Sequence, residues 1–181
     1  MELAIGVMGA SRVDSPAVGA KAEIVGAAVA RHGAWLITGA TTGFPLLAAK
    51  AAKKAGGRVL GFSPALTADQ HAQLGLPFDH HDLIVYTGLS FKGRNLLNVR
   101  ASQGLIFIGG SMGALNEFTI AYDEEKILGI LEGTGGFCDR MRDWISCLEK
   151  PGNGAILHFD DRPEELVDRV VRSVASRMPK T

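Results

Sequence analysis

The chain has 181 residues, 46% of them hydrophobic, with 19 basic and 19 acidic side chains and a formal net charge of zero. That is one domain's worth of core, and the balance lacks the basic excess of a nucleic-acid binder or a membrane-surface protein, with no run of like charges to restore it locally. The apolar start Leu3–Met8 is too short and lacks the basic leader of a secretory signal, and no stretch nears the ~20 apolar residues of a membrane helix, so the expectation is a soluble cytoplasmic protein.

Along the chain, short apolar runs alternate with longer amphipathic ones. Leu3–Met8 reads as a strand and Val18–His32 as an alanine-rich helix ending near Gly33. Trp35–Thr38 is a second strand, and Pro45–Ala55 a helix stopped by Gly56-Gly57. Val59–Phe62 is a third strand, stopped by Pro64. The polar stretch Thr67–Asp82, with His71, His80 and His81, carries no clear period, and a surface loop is expected for His71. Leu83–Tyr86 is a fourth strand, Lys92–Gln103 a helix, Leu105–Ile108 a fifth strand, followed by a helix to about Glu125. Ile127–Leu131 is a sixth strand, Phe137–Leu148 a helix, Ala155–Phe159 a seventh strand, and Glu164–Arg177 a last helix with Pro163 at its first turn.

Continuously apolar strands imply burial on both faces, as in a parallel sheet. Their alternation with helices implies βαβ units with right-handed crossovers. The expected fold is α/β, a Rossmann-like doubly wound three-layer sandwich with about seven mainly parallel strands in one domain spanning 1–181. Cys138 and Cys147 fit no zinc or redox spacing and are expected to be free thiols.

Glycine placement carries the functional signal. Clusters follow four expected strands: Gly6-Val-Met-Gly9-Ala-Ser11, Gly39-Ala-Thr-Thr42-Gly43, Gly109-Gly110-Ser111-Met112-Gly113 and Gly133-Thr134-Gly-Gly136. In a parallel sheet these turns share one edge, where open α/β folds bind ligands. Glycine admits close backbone approach, and a helix start offers unpaired N–H groups and a favourable dipole to an anion. No cluster is a dinucleotide fingerprint or a Walker loop. Four together, with hydroxyls at Ser11, Thr41, Thr42, Ser111 and Thr134, point to a small phosphate-bearing ligand. Tight turns also use glycine for steric reasons alone.

Arg94 lies near the start of the helix before the fifth strand, and Glu117 about one turn into the helix after it. Both elements flank the same strand end, so the side chains can meet over the crevice. A carboxylate there suits cleavage of an N-glycosidic bond. It can steady the oxocarbenium-like sugar and deprotonate water, while a guanidinium grips phosphate or the leaving base. A structural ion pair is the alternative.

At these residues the chain resembles the LOG (Lonely Guy), or lysine-decarboxylase-like, family within the wider SLOG group of Rossmann-type nucleotide binders. That family carries Arg-Lys or Arg-Asn, a strand, then Pro-Gly-Gly-x-Gly-Thr-x-x-Glu. This chain has Arg94-Asn95, Leu105–Ile108 and Gly109-Gly-Ser-Met-Gly-Ala-Leu-Asn-Glu117, in frame without a gap. The resemblance implies a nucleoside 5′-monophosphate phosphoribohydrolase without metal or organic cofactor, and a homodimer. Arg94 and Glu117 would be catalytic, and the backbone of Gly110, Ser111, Met112 and Gly113 would hold the 5′-phosphate. Gly109 stands for the family proline, Ser111 for its second glycine, Ala114 for its threonine, and Asn116 for a frequent acidic residue. That pattern is closer to outlying SLOG branches, some of which resemble molybdenum-cofactor carriers. A non-catalytic carrier of a phosphate-bearing cofactor and a nucleotide-sensing module are therefore the alternative functions. His80-His81 lacks a metal-ligand spacing, so no metal is expected.

Overall fold

The computed structural model describes residues 2–147 and 154–178. Seven strands form one sheet: β1 (Ala4–Gly9), β2 (Trp35–Thr38), β3 (Arg58–Ser63), β4 (Leu83–Tyr86), β5 (Gly104–Ile108), β6 (Ile127–Leu131) and β7 (Ile156–Asp160). Their order is β4-β3-β2-β1-β5-β6-β7, and every pair is parallel. All seven expected strands are present, and the doubly wound architecture is confirmed.

Alternation within the central strands explains the two covered faces. Ile5 and Val7 of β1, with Ile106 and Ile108 of β5, pack under α1 (Pro16–Arg31), α2 (Phe44–Lys54) and α8 (Pro163–Arg177). Met8, Leu105 and Phe107 face the other way. They meet Val99 of α5 (Asn95–Ala101), Ala114, Phe118 and Ala121 of α6 (Met112–Asp123), and Met141 of α7 (Met141–Ser146). The chain winds outward from β1 to β4, then returns to lay β5 on the other side of β1. After β1 it leaves toward α1 on one face, and after β5 toward α6 on the other. The carboxyl ends of β1 and β5, in register at Gly9 and Ile108, therefore border a crevice at the topological switch point.

Three segments depart from expectation. The helix expected over Lys92–Gln103 is two pieces, α4 (Ser90–Gly93) and α5, with Arg94 as C-cap of the first and N-cap of the second. The helix expected from Phe137 begins as a 3₁₀ turn, Cys138–Arg140, before α7; its expected end, Leu148, lies outside the described residues. Within Thr67–Asp82 lies α3 (Ala68–Gln73), whose N-cap hydroxyl Thr67 accepts the Gln70 N–H at 3.2 Å. His71 is fully buried, which overturns the surface-loop expectation. Among the described residues no helix is long and apolar enough to cross a membrane. Cys138 is buried, Cys147 exposed, and both are free.

Candidate functional site

Arg94 and Glu117 meet at the switch point. Arg94 Nη1 donates to Glu117 Oε1 at 2.9 Å and to Asn95 Oδ1 at 3.0 Å. Their side chains are only 9% and 6% exposed. Asn98, one turn along α5 from Arg94, donates through Nδ2 to the same Oε1 at 2.7 Å. Asn95 Nδ2 donates to Asn116 Oδ1 at 2.8 Å, tying the start of α5 to α6. Burial pushes the Glu117 carboxyl above its ordinary value, opposed by the Arg94 charge and the Asn98 amide. Burial likewise lowers Arg94, opposed by Glu117, yet a guanidinium starts so high that it stays charged.

A crevice of about 320 Å³ opens over this pair. Gly9, Ser11, Thr41 and Thr42 line one side of it, and Ser111, Gly113, Ala114 and Glu117 another. Leu76, Phe91 and Lys92 complete the wall, beside Arg94 and Asn95. The first intrahelical bond of α6 runs from Leu115 N–H to Ser111 C=O, so the N–H groups of Met112, Gly113 and Ala114 have no carbonyl within the helix. With the Lys92 cation also on the crevice wall, this helix start offers donors and a favourable dipole to an anion.

The expected ligand residues divide into groups. Gly9, Ser11, Thr42, Ser111, Gly113 and Ala114 line the crevice with the charged pair. Gly110 and Met112 line the adjacent apolar groove, with Phe137 and Trp144. Gly110 sits at φ +123°, and a Cβ there would fall on the Phe137 ring, so only glycine fits this turn. Gly43 caps α2 against Ala10 and Ser11. Gly109 is buried; its N–H donates to Thr134 Oγ1 at 2.8 Å.

Thr134 does not reach the crevice. Its hydroxyl donates to Leu131 C=O at 2.5 Å. The loop around it already holds an anion: Asp139 accepts the N–H groups of Gly133, Thr134 and Gly135 at 2.8–3.2 Å. The fourth glycine cluster therefore binds a carboxylate of its own chain where a ligand phosphate was expected.

Gly39 acts at close range without lining the crevice. A Cβ added there would fall 2.4–2.6 Å from the Arg94 guanidinium. Gly39→Ala is therefore expected to push that group aside. Overpacking of this kind costs about 1–3 kcal/mol, read as a fall in the denaturant midpoint. Ligand affinity, followed by calorimetry, should fall as well, and an unchanged midpoint would show that Arg94 has room to move.

Lys92, Asn95, Asn98, Phe91 and Leu76 were not singled out as ligand residues by sequence reasoning. The i,i+4 spacing of Arg94 and Asn98 placed both on one helix face and was the available signal for Asn98.

Two histidines hold the Thr67–Asp82 segment against the strand ends. Ser63 Oγ accepts the Ala65 N–H at 3.0 Å and lies 2.8 Å from His71 Nδ1. Thr38 Oγ1 accepts the Ala40 N–H at 3.1 Å and lies 2.9 Å from His81 Nε2. The remaining ring nitrogens, His71 Nε2 and His81 Nδ1, donate to the carbonyls of Pro77 and Asp79. A carbonyl only accepts, so those two nitrogens carry protons, and in a neutral ring the hydroxyl donates to the other nitrogen. Burial pushes His81 below its ordinary value, with the Asp79 carbonyl opposing, His71 and His80 lowering it further and Asp82 opposing. The folded chain therefore binds fewer protons at His81 than the unfolded one. Its contribution to stability is whole above the ordinary histidine value of 6.5 and is lost as pH falls through the depressed folded value. Replacing His81 by Gln is expected to flatten the fall in urea midpoint between pH 7 and pH 5.

The comparisons agree with this fold. A protein of Archaeoglobus fulgidus is 33% identical over 128 residues, 71% of this chain and 79% of that one. The X-ray structure of TM1055 is 25% identical, with a TM-score of 0.81 over 94% of this chain and 99% of its own. The molybdenum cofactor binding protein of the phototrophic bacterium Rippkaea orientalis is 26% identical, with a TM-score of 0.75 over 97% and 98%. DNA processing protein A of Helicobacter pylori, which binds single-stranded DNA, shares the fold alone at 14% identity and a TM-score of 0.64 over 94% and 81%. The SLOG cluster4 family model matches residues 2–167, nearly the whole length, and the chain belongs to that family.

Proposed function

We propose that this chain hydrolyses the N-glycosidic bond of a nucleoside 5′-monophosphate, releasing the base and ribose 5-phosphate. One observation carries the reading: the buried Arg94–Glu117 pair opens onto the same crevice as the free start of α6. The phosphate takes the N–H groups at 112–114, with Lys92 balancing its charge. The ring lies toward Phe91 and Leu76, the apolar part of the wall. That leaves the sugar over Glu117.

Both protein donors to Glu117 converge on Oε1, so Oε2 is the oxygen available to take a proton from water. As the water oxygen bonds to C1′, the C1′–N bond breaks and its electrons pass to the base, which is protonated from solvent. The carboxylate also steadies the cationic sugar between those events. The homodimer implied by the family resemblance would use the β4 edge of the sheet, where Leu83 and Val85 stand exposed. Light scattering in solution tests that assembly.

A second reading, a non-catalytic binder of a phosphate-bearing cofactor, is favoured by the likeness to the Rippkaea orientalis protein and by Ala114, which has no hydroxyl where the LOG motif has one. Incubation with a panel of nucleoside monophosphates separates the two. Free base and ribose 5-phosphate released in equal amounts support hydrolysis. Release from none, with a pterin phosphate retained by the purified protein, supports the carrier.

A further inference from the structure

We propose that Asn98 is a positioning residue that ties down one oxygen of Glu117 and so makes the other the catalytic base. The proposal rests on the hydrolase reading for the word base, but its structural content does not need turnover.

Asn98 is fully buried. Its Nδ2 donates to Glu117 Oε1 at 2.7 Å and lies 3.8 Å from Met8 Sδ. Its Oδ1 is buried with no hydrogen-bond partner. A buried carbonyl oxygen left unpaired is unfavourable, and leucine, with the same number and branching of side-chain heavy atoms, would remove that defect. The fold therefore gains nothing from the amide oxygen, and what the asparagine supplies is its donor.

The orientation of the amide follows from the same contact. Turned over, it would set Oδ1 against Oε1, two acceptors in contact, so an ionised Glu117 fixes Nδ2 inward. With Arg94 Nη1 on that oxygen too, at 2.9 Å, both strong donors meet on Oε1. A proton arriving at Glu117 is thereby directed to Oε2. The Asn98 bond also holds the carboxyl down against the upward push of burial.

The test is the carboxyl titration of Glu117 in the ligand-free protein, followed by carbon-13 NMR and assigned with a Glu117→Gln sample. In Asn98→Leu the midpoint is expected to rise by about one pH unit, the scale of one hydrogen bond to a charged group, while thermal stability holds or increases. Asn98→Asp, which sets a like charge beside the carboxylate, should raise the midpoint further. If nucleotide hydrolysis is present, the acid limb of its pH profile moves up by the same amount. An unmoved titration in both variants would overturn the proposal, and so would a large loss of stability in Asn98→Leu, which would make the residue structural. Absence of hydrolysis together with a moved titration would sink the hydrolase reading and leave the positioning of Glu117 standing.

Discussion

Glu117→Gln is expected to abolish most base release, by roughly 10²- to 10⁴-fold, the range typical of a lost general base, while nucleotide binding survives. The amide keeps the shape of the side chain, and its oxygen can still accept from Arg94 Nη1 and Asn98 Nδ2, which both now reach Oε1. What it lacks is a lone pair basic enough to take a proton from water, and a negative charge beside the cationic sugar. Removing that charge leaves the Arg94 guanidinium buried without a counterion. Breaking a buried pair costs about 3–5 kcal/mol when the partner is deleted, so a smaller loss is expected for this conservative change. Parallel kinetic and calorimetric titrations check both halves. Equal loss of binding and turnover would assign Glu117 to ligand affinity; loss of neither would remove it from the reaction.

Arg94→Met is expected to have the larger effect on the fold, about 3–5 kcal/mol at pH 8. Glu117 would then be buried without its cation, and burial already pushes its carboxyl upward in the intact pair. A carboxyl with a raised folded value binds more protons folded than unfolded. Its contribution is whole below the ordinary value of 4.5 and is lost as pH rises through the folded value. The variant should therefore lie closer to the intact protein at pH 5 than at pH 8. Urea midpoints at the two pH values measure this. Equal losses at both would mean that Glu117 reaches water once Arg94 is gone.

The sheet was legible because continuously apolar strands such as Leu105–Ile108 can be buried only between two helical layers. The meeting of Arg94 and Glu117 was legible too, since the elements bearing them flank one strand end. Thr134 was misplaced because the pattern of its loop is that of an anion site, and the pattern does not reveal that Asp139 occupies it. The Thr67–Asp82 segment resisted reading for a related reason. Its order comes from His71 and His81, paired with hydroxyls at the ends of β3 and β2, contacts that no local period encodes. The interruption at Arg94 escaped notice because the apolar spacing of Leu96, Leu97 and Val99 continues the helix without a gap. It matters for the site, because the cap position carries the guanidinium.

A structure of the Glu117→Gln protein with AMP bound is the most direct measurement of where the chemistry occurs. The phosphate should sit within hydrogen-bond distance of the N–H groups of Met112, Gly113 and Ala114, with C1′ over the side chain at 117 and the adenine toward Phe91 and Leu76. A nucleotide seated in the groove beside Phe137 and Trp144, or one with its sugar turned away from position 117, would contradict hydrolysis by this pair.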